Sequence, residues 1–168
     1  MIGLALLGAA LAQPSAELAL RTTATSWRPE SCGCVDRWTA RATLELALRP
    51  GPFVAPTASI ELGAGGHLFS AAYPIRGASL GLRVWPAGEE TGRWSPFAQA
   101  STRWTRIIDT TQTYHLGAVA LVGVTRPGPR LSPELAAHGA RTVGSMAHTE
   151  LGISLAVRVG LGPPRTRE

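Results

Sequence analysis

The sequence predicts an all-β protein, a closed up-and-down antiparallel barrel of eight strands that crosses a membrane. Apolar and polar residues alternate over eight stretches, aromatic residues stand mainly at the ends of those stretches, and the polar faces carry many small side chains. The alternation is clearest at 78–106, which predicts two strands joined by the polar turn PAGEETG. Since successive side chains of a strand point to opposite faces, this period indicates strands with one apolar and one polar face.

The first four strands are predicted at 16–27, 37–49, 54–67 and 78–85. Strand one places Leu18 and Leu20 on its apolar face. Strand two alternates regularly from Trp38 to Leu48 and ends at PGP, because proline cannot continue the ladder. Strand three carries Ile60 on its apolar face, and the segment LFSAAYPIRG is predicted as a loop leading into strand four.

The last four strands are predicted at 98–105, 114–123, 131–141 and 148–161. Strand five alternates alanine and threonine with Gln99, Ser101 and Arg103. Strand six, YHLGAVALVG, has a less polar second face than the others. Strand seven has the weakest pattern, because SPELAAHGA also fits a short helix, whereas strand eight alternates cleanly as far as Leu161.

The seven connections of such a meander fall at its two ends in turn. We name connections one, three, five and seven the odd loops, and connections two, four and six the even turns. The aromatic residues then sort by height into two girdles, as in strands that span an apolar slab and meet water at both surfaces. The girdle at the odd loops comprises Trp27, Trp38, Phe69, Tyr73, Trp104 and Tyr114, and the girdle at the even turns comprises Phe53, Trp85, Trp94 and Phe97.

The polar faces indicate which side of the barrel faces outward. A soluble lipocalin-like barrel would have its apolar face inward and a hydrated polar exterior. Here the polar faces are rich in glycine and serine, which suit a crowded interior, and closure removes strand edges that lipid could not satisfy. We therefore expect these charged residues to pair inside the barrel: Arg21, Arg41, Glu45, Glu61, Arg83, Arg103, Glu150 and Arg158.

Counting back from the PGP turn predicts which of these charges meet. Glu61 falls at about the height of Arg41 on the neighbouring strand, and Arg83 is expected to approach Glu61 from the other side. Because Arg41 and Glu45 share a face of strand two, the expected order of contacts is Glu45, Arg41, Glu61, Arg83.

Two segments, WSPFAQASTRW and the turn PGPRLSPELA, resemble the small outer-membrane β-barrel family of the OmpA/OmpX type. The resemblance covers most of 16–161 and implies an eight-stranded barrel in the bacterial outer membrane. It also implies an enzyme alternative, because this family includes lipid-modifying barrels.

Composition bounds the other classes of function. All sixteen basic residues are arginine, and the net charge is +5, but the arginines are scattered singly, which argues against nucleic-acid binding. Residues 1–12, MIGLALLGAALA, fit a clipped secretory signal that ends at a small-x-small site, or else an ordinary apolar terminus. The tail at 162–168 is expected to be disordered.

The cysteines lie two residues apart, at Cys32 and Cys34 in the first odd loop. A disulfide over that spacing is strained, and both a disulfide and free thiols remain open. A metal site would need more ligands than Glu30 and Asp36, the acidic residues nearby.

A second candidate site lies on the polar face near the odd loops, where His67, His115, His138 and Glu150 fall. Such a cluster could bind a metal or, with Ser70 or Ser145, form a hydrolase site. No nucleophile is marked by its surroundings, and the sequence has no phosphate loop, HExxH or paired-cysteine zinc motif. We therefore favour a structural role for these residues.

These observations predict a non-catalytic integral protein of the bacterial outer membrane, without a cofactor, whose lumen is plugged by side chains. Its expected role is structural, adhesive or in envelope integrity. The expected partner is the lipid bilayer, with lipopolysaccharide or an extracellular ligand at the odd loops as further candidates. The alternatives are a soluble periplasmic barrel that binds an apolar ligand and a lipid-modifying outer-membrane enzyme.

Overall fold

A computed structural model describes residues 15–29, 37–66, 72–89, 91–108, 112–143 and 147–162. Sequence order is also the order around a closed barrel, and β8 pairs antiparallel with β1. The predicted fold class is confirmed. Within the described residues, no helix is long and apolar enough to cross a membrane. The strands are β1 (Ser15–Pro29), β2 (Arg37–Arg49), β3 (Val54–Gly66), β4 (Tyr73–Val84), β5 (Ser95–Ile108), β6 (Gln112–Thr125), β7 (Leu131–Val143) and β8 (His148–Gly160).

Strands β4 and β5 extend further toward the odd loops than the sequence predicts. The segment YPIRG, predicted as loop, belongs to β4, with Tyr73 opposite Gly65 of β3. On the other side of β4, Ile75 pairs with Ile107 of β5, and both side chains are buried. The alternation continues here, but the inward residues are apolar instead of polar. The sequence therefore resembled a loop, whereas the structure shows a strand whose inner face fills the odd-loop end of the lumen with apolar side chains.

Strand β7 is a strand throughout, so the helical alternative for SPELAAHGA is wrong. It pairs with β6 from Leu116↔Val143 to Thr125↔Glu134 and with β8 on its other edge. A helix here would leave the facing edges of both neighbours without a ladder, which a membrane-spanning barrel cannot tolerate.

The apolar face of the barrel is its outer face. Leu80 and Leu151 are 67% and 66% exposed, whereas Arg83 and Glu150 are 0% exposed and point into the lumen. The alternative of a soluble barrel with an apolar interior is therefore wrong for the described strands. Leucine, isoleucine and valine cover the outside, and charged, hydroxyl and glycine residues fill much of the inside.

The predicted girdles are correct only in part. Five aromatic residues lie on the outer face near the strand ends: Trp38, Phe53, Trp94, Trp104 and Tyr114. Four others stand at the predicted heights but are buried inside the barrel: Trp27, Tyr73, Trp85 and Phe97. They occupy inward positions of the alternation, or the turn beside such a position, so they close the ends of the lumen instead of facing lipid.

Several predictions fall outside the described residues and stay predictions. They concern the signal at 1–12, most of the tail at 162–168, and these single residues: Cys32, Cys34, His67, Phe69, Ser70 and Ser145.

Candidate functional site in the barrel lumen

The lumen holds a balanced set of charges. All six acidic residues that the structure describes point into it or plug its even-turn end, and six arginines pair with them, so their formal charges cancel. The acidic residues are Glu17, Glu45, Glu61, Glu89, Glu134 and Glu150, and the arginines are Arg21, Arg41, Arg49, Arg83, Arg103 and Arg158. Strand alternation directs eleven of these twelve side chains inward, and the twelfth, Glu89, comes from an even turn.

Glu150 is the hub of the half of the lumen nearest the odd loops. Arg41 donates two hydrogen bonds to its carboxylate, at 2.5 and 2.8 Å, and Arg103 donates another at 2.6 Å. The Nε2 atom of His148 lies 3.1 Å from Glu150 Oε1, and Nε2 of His138 lies 3.7 Å from Oε2. Two guanidinium groups thus compensate one buried carboxylate, the condition under which burial of a charge is tolerable.

Glu61 extends this cluster through longer contacts. Its Oε1 atom lies 4.0 Å from Arg41 Nε and 3.9 Å from Arg103 Nε, and it accepts a hydrogen bond from Thr105 at 3.3 Å. The expected approach of Arg83 to Glu61 does not occur.

The reason is the register between β3 and β4. Glu61 lies opposite Gly77, whereas Arg83 lies opposite Ala55, about 20 Å away along β3. Strand β4 begins earlier than predicted, and Arg83 stands at its even-turn end. The predicted order of contacts through Arg83 is therefore wrong.

Arg83 organises the middle of the lumen instead. It donates hydrogen bonds to Glu45 at 2.8 Å, to Glu134 at 2.9 Å and to Gln99 at 2.9 Å. The Gln99 amide in turn donates to the second carboxylate oxygen of Glu45 at 2.8 Å. Arg21 completes the group through its ion pair with Glu134. These contacts join strands that are not all neighbours, so they brace the barrel across its interior.

The even-turn end is plugged by the turn between β4 and β5. Gly88 adopts a positive φ of 74° and donates its backbone N–H to Trp85 O, which turns the chain back over the barrel mouth. The buried carboxylate of Glu89 pairs with Arg49 and Arg158. Those two guanidinium groups lie 4.4 and 5.4 Å from the ring of the fully buried Trp85, within cation–π range.

The odd-loop end of the lumen is filled by an apolar cluster of Trp27, Tyr73, Ile75 and Ile107. The ring of Trp27 lies 4.5 Å from that of His148, just above the Glu150 hub. Between the two ends, the lumen retains a cavity of about 40 Å³, lined in part by Glu61 and His138. A cavity of that size holds no more than a few water molecules.

The described histidines, His115, His138 and His148, lie near the Glu150 hub. His115 is buried with its ring 5.6 Å from that of His148. The structure also shows a chain of three polar groups that the sequence did not reveal, which we call the relay. Thr142 Oγ1 lies 2.8 Å from His148 Nδ1, and Glu150 Oε1 lies 3.1 Å from His148 Nε2. Hydroxyl, imidazole and carboxylate follow the order found in hydrolases.

The surroundings of this relay favour a structural role. Glu150 is held by two arginines, Trp27 covers the imidazole, and the Thr142 hydroxyl accepts the backbone N–H of His148 at 3.2 Å. Thr142 and His148 are also a cross-strand pair of β7 and β8. Within the described residues, no group of three histidine, cysteine or acidic side chains could hold a metal ion.

The structure thus places all eight predicted luminal charges inside the barrel: Arg21, Arg41, Glu45, Glu61, Arg83, Arg103, Glu150 and Arg158. The sequence analysis did not include Glu17, Arg49 and Glu134 among the luminal charges. Their alternation with outward apolar residues already indicated that they face the lumen. Glu89 had no such signal, because a turn has no fixed alternation.

Comparison with known proteins supports the fold. No family model and no curated protein matches the sequence. Among solved structures, Neisserial surface protein A (NspA) superposes with a TM-score of 0.64 at 9% identity, over 88% of this chain and 99% of that one. Ail, the attachment invasion locus protein of Yersinia pestis, superposes with a TM-score of 0.54 at 8% identity, again over 88% and 99%. The chain therefore has the fold of the small eight-stranded outer-membrane β-barrels.

Proposed function

We propose that this chain is an integral protein of a bacterial outer membrane that contributes to the integrity of the envelope and performs no catalysis. The observation that carries the proposal is a barrel with an apolar exterior and a lumen filled by mutually compensating charges. Such a barrel occupies the bilayer without opening a path through it.

Energetics favour this arrangement over a pore or a soluble barrel. The outer leucine, isoleucine and valine side chains are stable against acyl chains, and closure leaves no strand edge in lipid. Inside, the Trp85 and Glu89 plug, the Arg83 contacts and the Glu150 hub lie one above another. A solute would have to separate three layers of ion pairs, and a buried charge that loses its partner costs about 3–5 kcal/mol.

An adhesive role would have to be carried by the odd loops. The segments between the strands at that end have about three to seven residues, at 30–36, 67–72, 109–111 and 144–147. Short connections offer little surface to a protein partner, so we favour a role exercised through the membrane itself. The attachment and invasion in the name of Ail describe that protein, and adhesion is the second candidate here.

The lipid-modifying alternative requires a nucleophile that lipid can reach. The Thr142, His148 and Glu150 side chains are buried inside the barrel, on the side of the wall away from the acyl chains. We therefore assign this relay a structural role. Unchanged lipids in cells that carry His148→Ala would agree with that assignment, and an altered acylation pattern would contradict it.

The proposal is tested by fractionation and by a permeability measurement. We expect the chain to sediment with outer membranes, to resist extraction without detergent, and to migrate faster on gels before heating than after. Deletion should increase entry of hydrophobic dyes into cells, and re-expression should restore the barrier. Recovery in the soluble fraction without heat-modifiable migration would refute membrane insertion, whereas insertion with an unchanged barrier would favour the adhesive role.

A further inference from the structure

We propose that the lumen contains a water-binding site that is part of its packing. The site is the cavity of about 40 Å³ between the Glu150 hub and the Arg83 contacts, which we call the luminal chamber. About three water molecules there join the carboxylate of Glu61 to Arg41 and Arg103, so that ion pairs too long for direct hydrogen bonds are held through water. This inference goes beyond the proposed membrane function, because it assigns a ligand to the interior of the barrel.

The first observation is a set of charged and polar groups that stand slightly too far apart. Glu61 Oε1 lies 4.0 Å from Arg41 Nε and 3.9 Å from Arg103 Nε, and Glu150 Oε2 lies 3.7 Å from His138 Nε2. A direct N–H···O hydrogen bond extends to about 3.2 Å, whereas a water oxygen can lie about 2.9 Å from both atoms of such a pair. These spacings therefore fit water molecules that bridge the groups from the chamber.

The second observation is a set of unpaired nitrogen atoms on the chamber wall. Five buried side-chain nitrogen atoms there have no hydrogen-bond partner among the residues that the structure describes, namely Arg21 Nε, Arg21 Nη1, Arg41 Nε, Arg103 Nε and His138 Nε2. All four side chains line the chamber and are less than a tenth exposed. A buried N–H group without an acceptor destabilises the fold, and buried water is the usual acceptor where the protein offers none.

The chemistry of the wall favours water over an ion. Glu45 and Glu61 line the chamber together with three arginines, so an occupant has to accept hydrogen bonds from N–H groups and donate to carboxylates. Water does both. A halide ion cannot donate and would meet two carboxylates, and a metal cation would meet three guanidinium groups. Because one water molecule needs about 10–15 Å³, the chamber accommodates about three.

The neighbouring layer provides a dry arginine for comparison. Arg83 Nε donates directly to Gln99 Oε1 at 2.9 Å, and its terminal nitrogen atoms donate to Glu45 and Glu134 at 2.8 and 2.9 Å. Protein acceptors thus satisfy this guanidinium, which is 0% exposed. One lumen therefore holds two kinds of buried arginine, bridged by water at Arg41 and dry at Arg83.

The test detects water at the Nε–H groups by nuclear magnetic resonance, with the folded chain in lipid nanodiscs. Rotating-frame cross-relaxation between water and a nitrogen-bound proton reports a bound water molecule and differs in sign from chemical exchange. We expect cross-peaks from water to the Nε–H groups of Arg41 and Arg103. The internal control is Arg83, whose Nε–H should show a much weaker cross-peak because Gln99 accepts it directly.

A substitution that fills the chamber tests the same water by its effect on stability. Val119 lines the chamber, and Val119→Leu adds one methylene group there without removing a polar group. If water fills the chamber, the variant should weaken the cross-peaks and shift the urea midpoint to a lower concentration, since displaced water leaves donors unpaired. The matched control is Val122→Leu on the same strand, because Val122 is 64% exposed on the outer face and the added group meets lipid. Its urea midpoint should be unchanged.

Three results would overturn the proposal. The unmodified barrel could lack water cross-peaks at Arg41 and Arg103, or Val119→Leu could raise the urea midpoint, as expected when a side chain fills an empty cavity. Cross-peaks of equal strength at Arg83 would indicate a flooded lumen instead of a defined site. Each sample is first checked for heat-modifiable migration, so a chamber without water in a correctly inserted barrel would refute this site and leave the proposed function intact.

Discussion

Arg41 of β2 and Glu150 of β8 are joined by two hydrogen bonds, at 2.5 and 2.8 Å, that pass over the intervening strand β1. The inward residue of β1 at this height is the small Thr25, which lies opposite Thr39 of β2 and Gly152 of β8. Small side chains therefore leave the path open between two strands that share no ladder. The pair braces the β1–β8 seam, where the barrel closes.

Replacing the hub should be among the most damaging single changes to the barrel. Glu150→Ala leaves Arg41 and Arg103 facing each other without their shared carboxylate, at an expected cost of about 3–5 kcal/mol in the free energy of unfolding. Glu150→Gln keeps some hydrogen bonds and should cost less. Glu61→Ala should also cost less than Glu150→Ala, because its contacts with the same arginines are about 4 Å long. Urea unfolding from lipid vesicles gives all of these values.

The matched control is Leu62→Ala on the outer face. Leu62 is 60% exposed and meets lipid, which fills the space left by the removed methyl groups, so the change should cost much less than Glu150→Ala. A larger loss of stability in Leu62→Ala than in either glutamate variant would mean that the faces are inverted, and the membrane assignment would fall with them.

The two populations of tryptophan should respond differently to lipid. In single-tryptophan variants reconstituted with brominated lipids, Trp38, Trp94 and Trp104 should be quenched because their rings lie on the outer face. Trp27 and Trp85 should keep their fluorescence, because the barrel wall separates them from the acyl chains. Strong quenching of Trp85 would contradict its place in the plug.

The strands could be predicted from the sequence because the alternation of a strand is local. Each residue's face follows from its neighbours along the chain, and this is sufficient to assign Arg41 and Glu61 to the lumen. The girdle prediction was wrong for the aromatic residues that were assigned to a girdle by their position near a strand end, without asking which face of the strand they occupy. Trp27 shares an inward face with Arg21 and Glu17, so the alternation already indicated its face, and its position at a strand end concealed it.

The partners of the luminal charges could not be predicted in the same way. Arg41 and Glu150 are 109 residues apart and lie on strands that do not pair, so their contact depends on the tilt and stagger of the whole barrel. The predicted Arg83–Glu61 contact failed because the register between β3 and β4 depends on where β4 begins. Glu89 could not be placed at all, since it enters the lumen from a turn.

Removing the plug should loosen the even-turn end without making a pore. In Trp85→Ala/Glu89→Ala, Arg49 and Arg158 lose the carboxylate and the ring between them, and the barrel should be less stable. Planar-bilayer recordings should nevertheless stay silent, as for the unmodified chain, because the Arg83 contacts still fill the middle of the lumen. Discrete openings in the variant would show that the plug alone seals the barrel.

Gly77 makes room for the carboxylate of Glu61, so adding a methyl group at position 77 should destabilise the barrel. A Cβ atom at position 77 would lie 2.5 Å from Glu61 Oε1 and 2.8 Å from the backbone oxygen of Trp104, so the side chain must move away from its arginine partners. Overpacking of this kind costs about 1–3 kcal/mol, and we expect Gly77→Ala to lower the free energy of unfolding by that amount. Gly51→Ala is the control, because a Cβ there meets nothing within 4 Å. Gly51→Ala should be neutral or slightly stabilising in the same urea titration. If Gly77→Ala proved as stable as Gly51→Ala, Glu61 would move aside at no cost and would not be held by Arg41 and Arg103.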